Sequence, residues 1–242
     1  NRKTYGMNIV GGVRRDLENE DFPKIEKVLA DIEREWTALQ EAVPGDATLT
    51  ARLDDVGELT PEEARQFCAL GPVARGSGKA IDIRVDHPYA AYGDLEIEKC
   101  VNDGCDTLAR TFVRLEETPI AISIIRQCME QMPDGEIAAE ITEAIPAGLQ
   151  GIAAVEAPRG ESFHWVLTGE ENRPARWRVR APTYANLQAI GPMIEGDVLA
   201  DVPIDIGSID PCYSCTDRMT VIDKRSGQMR VMSAEEMRET RG

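Results

Sequence analysis

The 242-residue sequence is short of several things, and each shortage removes a class of function. No apolar run approaches the ~18 residues that a membrane-crossing helix needs. Basic residues are outnumbered, with Lys+Arg 27 against Asp+Glu 43 and a formal net charge of −16. There is no basic arm, so nonspecific binding to nucleic acid or to an anionic membrane surface is not expected. His87 has no second histidine at ligand spacing, which argues against an imidazole metal site there. Lys79 follows Gly76-Ser77-Gly78, yet the G-x-x-x-x-G-K-[ST] spacing of a phosphate loop is missing. No internal repeat and no low-complexity linker divides the chain. The start carries no signal-peptide pattern. The cysteines at 68, 100, 105, 128, 212 and 215 are irregularly spaced, which suits a reducing compartment better than a secreted disulfide framework.

The positive signals begin with helical periodicity. Ile25, Val28, Leu29, Ile32, Trp36, Leu39 and Val43 recur at helical spacing between Pro23 and Pro44-Gly45, which predicts a scaffold helix. Thr60-Pro61-Glu62-Glu63 is a capping box that starts a short helix through about Leu70. Arg84, Asp86 and His87 precede Pro88-Tyr89 in a segment expected to be extended. They read either as a polar cluster near a site or, preferably, as a hydrogen-bonded structural network. Residues 106–132 form the longest helical pattern, interrupted by Pro119, so a kink or two abutting helices are expected. Cys128 lies in its apolar pattern and reads as core; Cys100 and Cys105 flank a turn at the wrong spacing for a zinc knuckle. Residues 148–155, 162–169 and 175–181 read as short strands, the last alternating through Trp177, Val179 and Ala181, with a hairpin loop over 170–174. A helix is expected from Ala185 towards Gly196, and the apolar run Val198 to Ile209 should pack beneath the loop at its end.

That loop reads Gly207-Ser208-Ile209-Asp210-Pro211-Cys212-Tyr213-Ser214-Cys215-Thr216-Asp217-Arg218. Proline fixes its own φ and pushes Asp210 out of the helical region, so a rigid loop should aim two sulfurs at one point. By spacing alone the pair is either a thiolate metal site or two unremarkable buried thiols.

Asp-Pro-Cys-x-x-Cys followed by Thr-Asp-Arg resembles the C-terminal metal motif of NiFe-hydrogenase large subunits. The Asp-Arg ending resembles the membrane-bound, energy-converting group 4 enzymes of the formate hydrogenlyase type. The resemblance extends over nearly the whole chain. It includes Asn1 to Asn8, Gly11 to Asp16, Arg84 to Tyr89, Glu156-Ala157-Pro158-Arg159-Gly160 and Arg180-Ala181-Pro182-Thr183-Tyr184-Ala185-Asn186. It implies an α+β, mainly helical fold with a small antiparallel sheet. Residues 1–147 would be helical scaffold, 148–218 the sheet and metal-ligand loop, and 219–242 a cleavable extension. Against that family the chain, which opens on Asn1, reads as the C-terminal portion of a longer polypeptide.

The resemblance further implies a binuclear centre of nickel and iron, the iron carrying carbon monoxide and cyanide. Cys212 would be a terminal nickel ligand and a proton relay, and Cys215 would bridge nickel and iron. A second Cys-x-x-Cys, which this chain lacks, would complete the site. Arg159 would sit over the open coordination position, where the bland alternative is an ordinary surface arginine. Asp210 is either only the turn residue before Pro211 or also the partner that holds Arg159. Pro158 and Thr183 would border the iron's diatomic ligands. His164 is either a proton relay or, preferably, a satisfied core histidine. Implied partners are an iron–sulfur small subunit, membrane subunits and a maturation endopeptidase cutting after Arg218; otherwise the tail is retained. The expected location is cytoplasmic, on the inner face of the cell membrane through those subunits.

Two other readings remain open. One is the quinone-site subunit of respiratory complex I, a relative that shares the Arg-x-Asp and Ala-Pro-Arg/Lys-Gly segments but has lost the metal cysteines. The other is a non-enzymatic assembly subunit without metal.

Overall fold

A computed structural model describes residues 7–140, 144–216, 219–222 and 229–232. The chain opens with a two-residue pairing of β1 (Asn8–Ile9) and β2 (Gly12–Val13). The helices after this pairing are α1 (Phe22–Gly45), α2 (Ala47–Leu53), α3 (Pro61–Gln66), α4 (Gly71–Arg75), α5 (Ile83–Asp86) and α6 (Thr107–Glu130). Strands β3 (Gln150–Ala157), β4 (Gly160–Thr168) and β5 (Pro174–Arg180) come next. Helices α7 (Pro182–Asn186), α8 (Ile190–Ile194) and α9 (Val202–Ser208) lead to the cysteines. Beyond them β6 (Met219–Ile222) pairs antiparallel with β7 (Met229–Met232). The fold is α+β and mainly helical, with a small antiparallel sheet. Among the described residues no helix is long and apolar enough to cross a membrane.

The two long helices α1 and α6 pack together. Asp106 caps α6 by accepting the Ala109 N–H at 2.7 Å. The helix runs as one element through Pro119, where two abutting helices were an alternative. Proline has no N–H to offer the Leu115 carbonyl four residues back. The α1 side chains supply it instead: Trp36 Nε1 donates to Leu115 O at 2.8 Å and Gln40 Nε2 at 3.4 Å.

The capping box forms as its spacing predicts, with Thr60 N donating to Glu63 and Glu63 N donating to Thr60 Oγ1. Its helix stops at Gln66 rather than near Leu70, because Cys68 turns into the left-handed region (φ 54). Leu59, Ala64, Ala69, Val73, Ala74, Ala189, Met193 and Ile209 make a buried cluster. Its small side chains let α3, α4 and α8 approach closely.

Other expectations are corrected. Arg84 to Asp86 form the short helix α5, since Asp82 accepts the Arg84 N–H and starts a turn there. The helix expected from Ala185 starts earlier, at Pro182, and runs through α7, a 3-10 turn over Leu187–Ala189 and α8 to Ile194 with the backbone helical throughout. In the run before the cysteines, Val198 and Leu199 are exposed while Ile209 is fully buried. Only its end packs beneath the loop.

Strands β3, β4 and β5 form a meander in which Ala157 pairs with Gly160, leaving Pro158 and Arg159 as the turn. Trp165 lies opposite both Ile152 and Arg178. The strands match the spacing-based expectation to within two residues at most ends.

Candidate metal-thiolate site

The loop that carries the cysteines is fixed at both ends. Ile209 is held in the core, and Asp210 turns the chain with φ 52, stabilised by its N–H donating to Gly207 O at 3.0 Å. After Pro211 a 3-10 turn spans Tyr213–Cys215, closed by Cys215 N donating to Cys212 O at 3.1 Å. Thr216 Oγ1 donates to the same carbonyl at 3.1 Å. From α7 the fully buried Thr183 accepts the Cys212 N–H on its Oγ1 at 3.3 Å. The 3-10 turn holds the two cysteines close enough for each thiol to shift the ionisation of the other.

The two thiols are electrostatically unequal. Ser214 Oγ lies 3.0 Å from Cys212 Sγ. That hydroxyl, helped by the Cys215 thiol, lowers the Cys212 pKa to about 7. Burial and then the neighbouring Cys212 push the Cys215 thiol up, against a contact from Thr183. Cys212 is thus the sulfur that ionises first and accepts donors.

Arg159 reaches this loop from the apex of the β3–β4 turn. Its Nε donates to Asp210 O at 2.5 Å and its Nη2 to Asp210 Oδ1 at 3.0 Å. Asp210 therefore turns the backbone and also holds the guanidinium, the second of its two readings. Arg159 is half-buried rather than an ordinary surface arginine. Its position depends on two glycines. A Cβ on Gly71 (φ 59) would lie 2.5 Å from Arg159 O, and one on Gly160 (φ 118) 2.5 Å from Gly71 N. Only bare backbone lets the strand turn cross the start of α4 here. Asn186 locks the crossing, accepting Leu70 N–H at 2.8 Å and donating to Arg159 O and Leu70 O at 3.3 Å.

Beside Pro158 and Asp210 lies a cavity of about 390 Å³, lined by charged groups that include Arg75, Arg114, Glu117 and Glu156. Arg75, 2% exposed, donates to Glu117 at 2.6 Å and to Glu156 at 3.1 Å. The Arg84–Tyr89 run ties into this framework. Arg84 donates twice to Asp82, at 3.0 and 2.6 Å, and Tyr89 Oη accepts the Glu156 N–H at 3.0 Å. Burial raises the Tyr89 pKa to about 12, keeping that hydroxyl neutral. This is the structural network favoured for the run.

His164 is half-buried on the sheet, taking the Trp177 indole N–H on Nδ1 and contacting Ser162 Oγ, each at 3.1 Å. It is satisfied but not a core residue, and its bonds belong to the sheet. Asp217 and Arg218, the end of the motif, lie outside the described residues, as do Asn1 to Gly6. Sequence reasoning gave no role to Ser214, Asn186, Arg75 or Glu156, although all but Arg75 lie in the segments quoted above. Of these, only Ser214 carried a legible signal, a hydroxyl between two cysteines inside one turn.

The donor chemistry fits part of a soft-metal centre. Two thiols converge, one already inclined to ionise, beside a fixed guanidinium. Among the described residues no third ligand joins them. The one cluster of three candidate ligands, Asp54, Asp55 and Asp106, is elsewhere, and both Asp106 oxygens already accept backbone N–H groups.

The family described as respiratory-chain NADH dehydrogenase, 49 Kd subunit, matches residues 1–148 and 139–218. Formate hydrogenlyase subunit 5 of Escherichia coli (strain K12) is 40% identical over 236 residues, covering 98% of this chain and 41% of the relative. Membrane-bound hydrogenase subunit alpha of Pyrococcus furiosus is 34% identical, covering 98% and 58%. An NADH-quinone oxidoreductase subunit of Pelobacter propionicus is 30% identical, covering 90% and 60%. The chain thus spans between 41% and 60% of the length of these three relatives.

Proposed function

Because the chain belongs to the respiratory-chain NADH dehydrogenase 49 Kd subunit family, shared with hydrogenase subunits, we propose that it is the C-terminal part of a NiFe-hydrogenase catalytic subunit. The reaction is the reduction of protons to H2. The observation that carries this reading is the pair Cys212 and Cys215 on one turn, with Arg159 latched to Asp210 beside them.

Cys212 and Cys215 would hold the metals as thiolates, the remaining ligands coming from sequence outside this chain. When bound, a nickel–iron centre with carbon monoxide and cyanide on its iron supplies the electron chemistry that joins two protons and two electrons. Everything else falls to this chain's own side chains. Cys212 Sγ takes up and releases a proton, with the Ser214 hydroxyl as neighbouring donor. Arg159 presents its positive charge to the site in a fixed direction, because both of its contacts to Asp210 hold the guanidinium plane. Thr183 holds the Cys212 backbone so that the sulfur does not wander. Pro158 borders the site and stiffens the turn that presents Arg159.

Electrons would arrive from an iron–sulfur small subunit. Membrane subunits would hold the assembly at the cytoplasmic face, a reading supported by the membrane-bound hydrogenase subunit among the relatives. A maturation endopeptidase cutting after Arg218 would remove residues 219–242. The second reading, a quinone-site subunit, is favoured by the NADH-quinone oxidoreductase relative. The thiol pair counts against it, since quinone chemistry gives Cys212 and Cys215 no task.

Arg159→Lys in the complete enzyme tests the proposal. Lysine keeps the charge but cannot donate to Asp210 O and Oδ1 as a planar fork. Nickel content should stay at the wild-type level while hydrogen evolution falls by about ten-fold or more, as loss of ~1.4 kcal/mol of transition-state stabilisation gives. Wild-type turnover with full nickel would remove Arg159 from the mechanism.

A further inference from the structure

Two more arginines converge on the cysteine loop, and neither belongs to the motif. Arg110 and Arg114 stand one turn apart on α6 and reach Ser208, the last residue of α9 and two positions before Asp210. Arg110 Nε donates to Ser208 Oγ at 3.0 Å, and Arg114 Nη2 donates to Ser208 O at 2.6 Å. The remaining bonds run to Gly57 O (2.7 Å) and Thr107 Oγ1 (3.0 Å) from Arg110 Nη2, and to Arg110 O (3.0 Å) from Arg114 Nη1. Every one of these acceptors is a neutral oxygen.

This is an expensive way to pack a helix end. Arg110 is 0% exposed, and its Nη1 has no partner among the described residues. The carboxylate of Asp205, also buried, has none on either oxygen. Burial lowers the pKa of both arginines and Arg114 repels Arg110, against a partial offset from Asp106 and Asp205 at Arg110 and from Asp210 and Glu117 at Arg114. An apolar residue of similar volume at either position would avoid those penalties. Locally unfavourable arrangements that persist in a folded protein concentrate where position matters. Here that place is the departure point of the ligand loop.

We propose that Arg110 and Arg114 are positioning residues for the site, clamping Ser208 from two sides so that Asp210 turns at φ 52 and meets Arg159. The clamp spans side chain and backbone of one residue. It therefore fixes both the end of α9 and the direction in which Pro211 and Cys212 leave it. Its link to catalysis rests on the hydrogenase reading above; the clamp itself does not.

The test uses the full-length chain in its assembled complex. Ser208→Ala removes only the hydroxyl, Arg114→Gln removes the charged donor, and Arg114→Lys keeps the charge on a single ammonium nitrogen. Amide hydrogen exchange is measured across residues 209–216 and, as reference, across β3 and β4. Arg114→Gln should speed exchange in 209–216 by about ten-fold, the factor expected from losing its charge-assisted bond to Ser208 O, and Ser208→Ala by at least as much, since its hydroxyl also donates to Asp205 O at 2.7 Å. The β3 and β4 amides should keep their wild-type rates, and Arg114→Lys should restore most of the protection. In the metal-loaded complex, Arg114→Gln should also shift the carbonyl and cyanide infrared bands. Unchanged exchange in 209–216, or equal acceleration in the sheet, overturns the clamp. Should Arg114→Gln fail to assemble, Ser208→Ala still decides. A wild-type complex without nickel or those infrared bands would instead sink the hydrogenase reading, leaving the exchange result to stand for the clamp.

Discussion

At the scale of single residues, the site's neighbourhood is governed by charges that burial makes unequal. Asp205 is the clearest case. Burial, and then the charge of Asp197, push its pKa from the ordinary 3.8 up to about 6. Asp201 adds to that push, and Arg110 opposes it. A carboxyl whose folded pKa lies above its unfolded value holds its proton more tightly when folded, so ionisation opposes folding. The penalty is absent below about pH 4, grows as pH rises towards about 6, and is full above that. Asn has the same shape and no charge. Asp205→Asn should therefore raise stability near pH 8 by on the order of 3 kcal/mol, with no gain near pH 4. Thermal unfolding at the two pH values checks it. An equal gain at both would mean that shape, not charge, is responsible.

At the scale of elements, α6 depends on α1 for its continuity. Pro119 removes the hydrogen bond that would close on Leu115 O, and Trp36 replaces it at 2.8 Å. Trp36→Phe keeps most of the ring but leaves that carbonyl poorly served. It should cost about 1–3 kcal/mol in denaturant unfolding. In a Pro119→Ala background the helix serves its own carbonyl, and the cost of Trp36→Phe should shrink. A double-mutant cycle reads the difference directly; additive effects would show that Trp36 acts by packing alone. The same dependence matters to the site, since α6 carries Arg110, Arg114 and Glu117 to it.

At the scale of the whole molecule, the chain offers two converging thiols and no third ligand beside them among the described residues. Residues 1–242 expressed alone should bind no stoichiometric nickel–iron centre. Elemental analysis together with infrared carbonyl and cyanide bands measures this. A full centre in the isolated chain would show that ligands from outside it are not needed.

Much of this was legible in the sequence because it is local. Asp210-Pro211 dictates a turn, Cys212 and Cys215 fall on one side of it, and Thr60 to Glu63 spell their own capping box. Short strand-like runs marked out the three strands of the meander, the last by its alternation through Trp177 and Val179. Local signals misled at α5, where the Asp82 side chain outweighed the extended preference expected before Pro88. After Ala185 they served well, since residue spacing predicts a helix and the backbone stays helical from α7 through the 3-10 turn to the end of α8. Only the tertiary structure decided which charges meet. Arg159 and Asp210 are 51 residues apart in sequence, and Arg114 and Ser208 are 94 apart. Such contacts follow no periodicity. They exist because Gly71 and Gly160 let two backbones cross without a Cβ between them, and because α6 packs its Arg110–Arg114 turn against the end of α9. The residues of the loop set its chemistry; the crossing and the long helix set where that chemistry points.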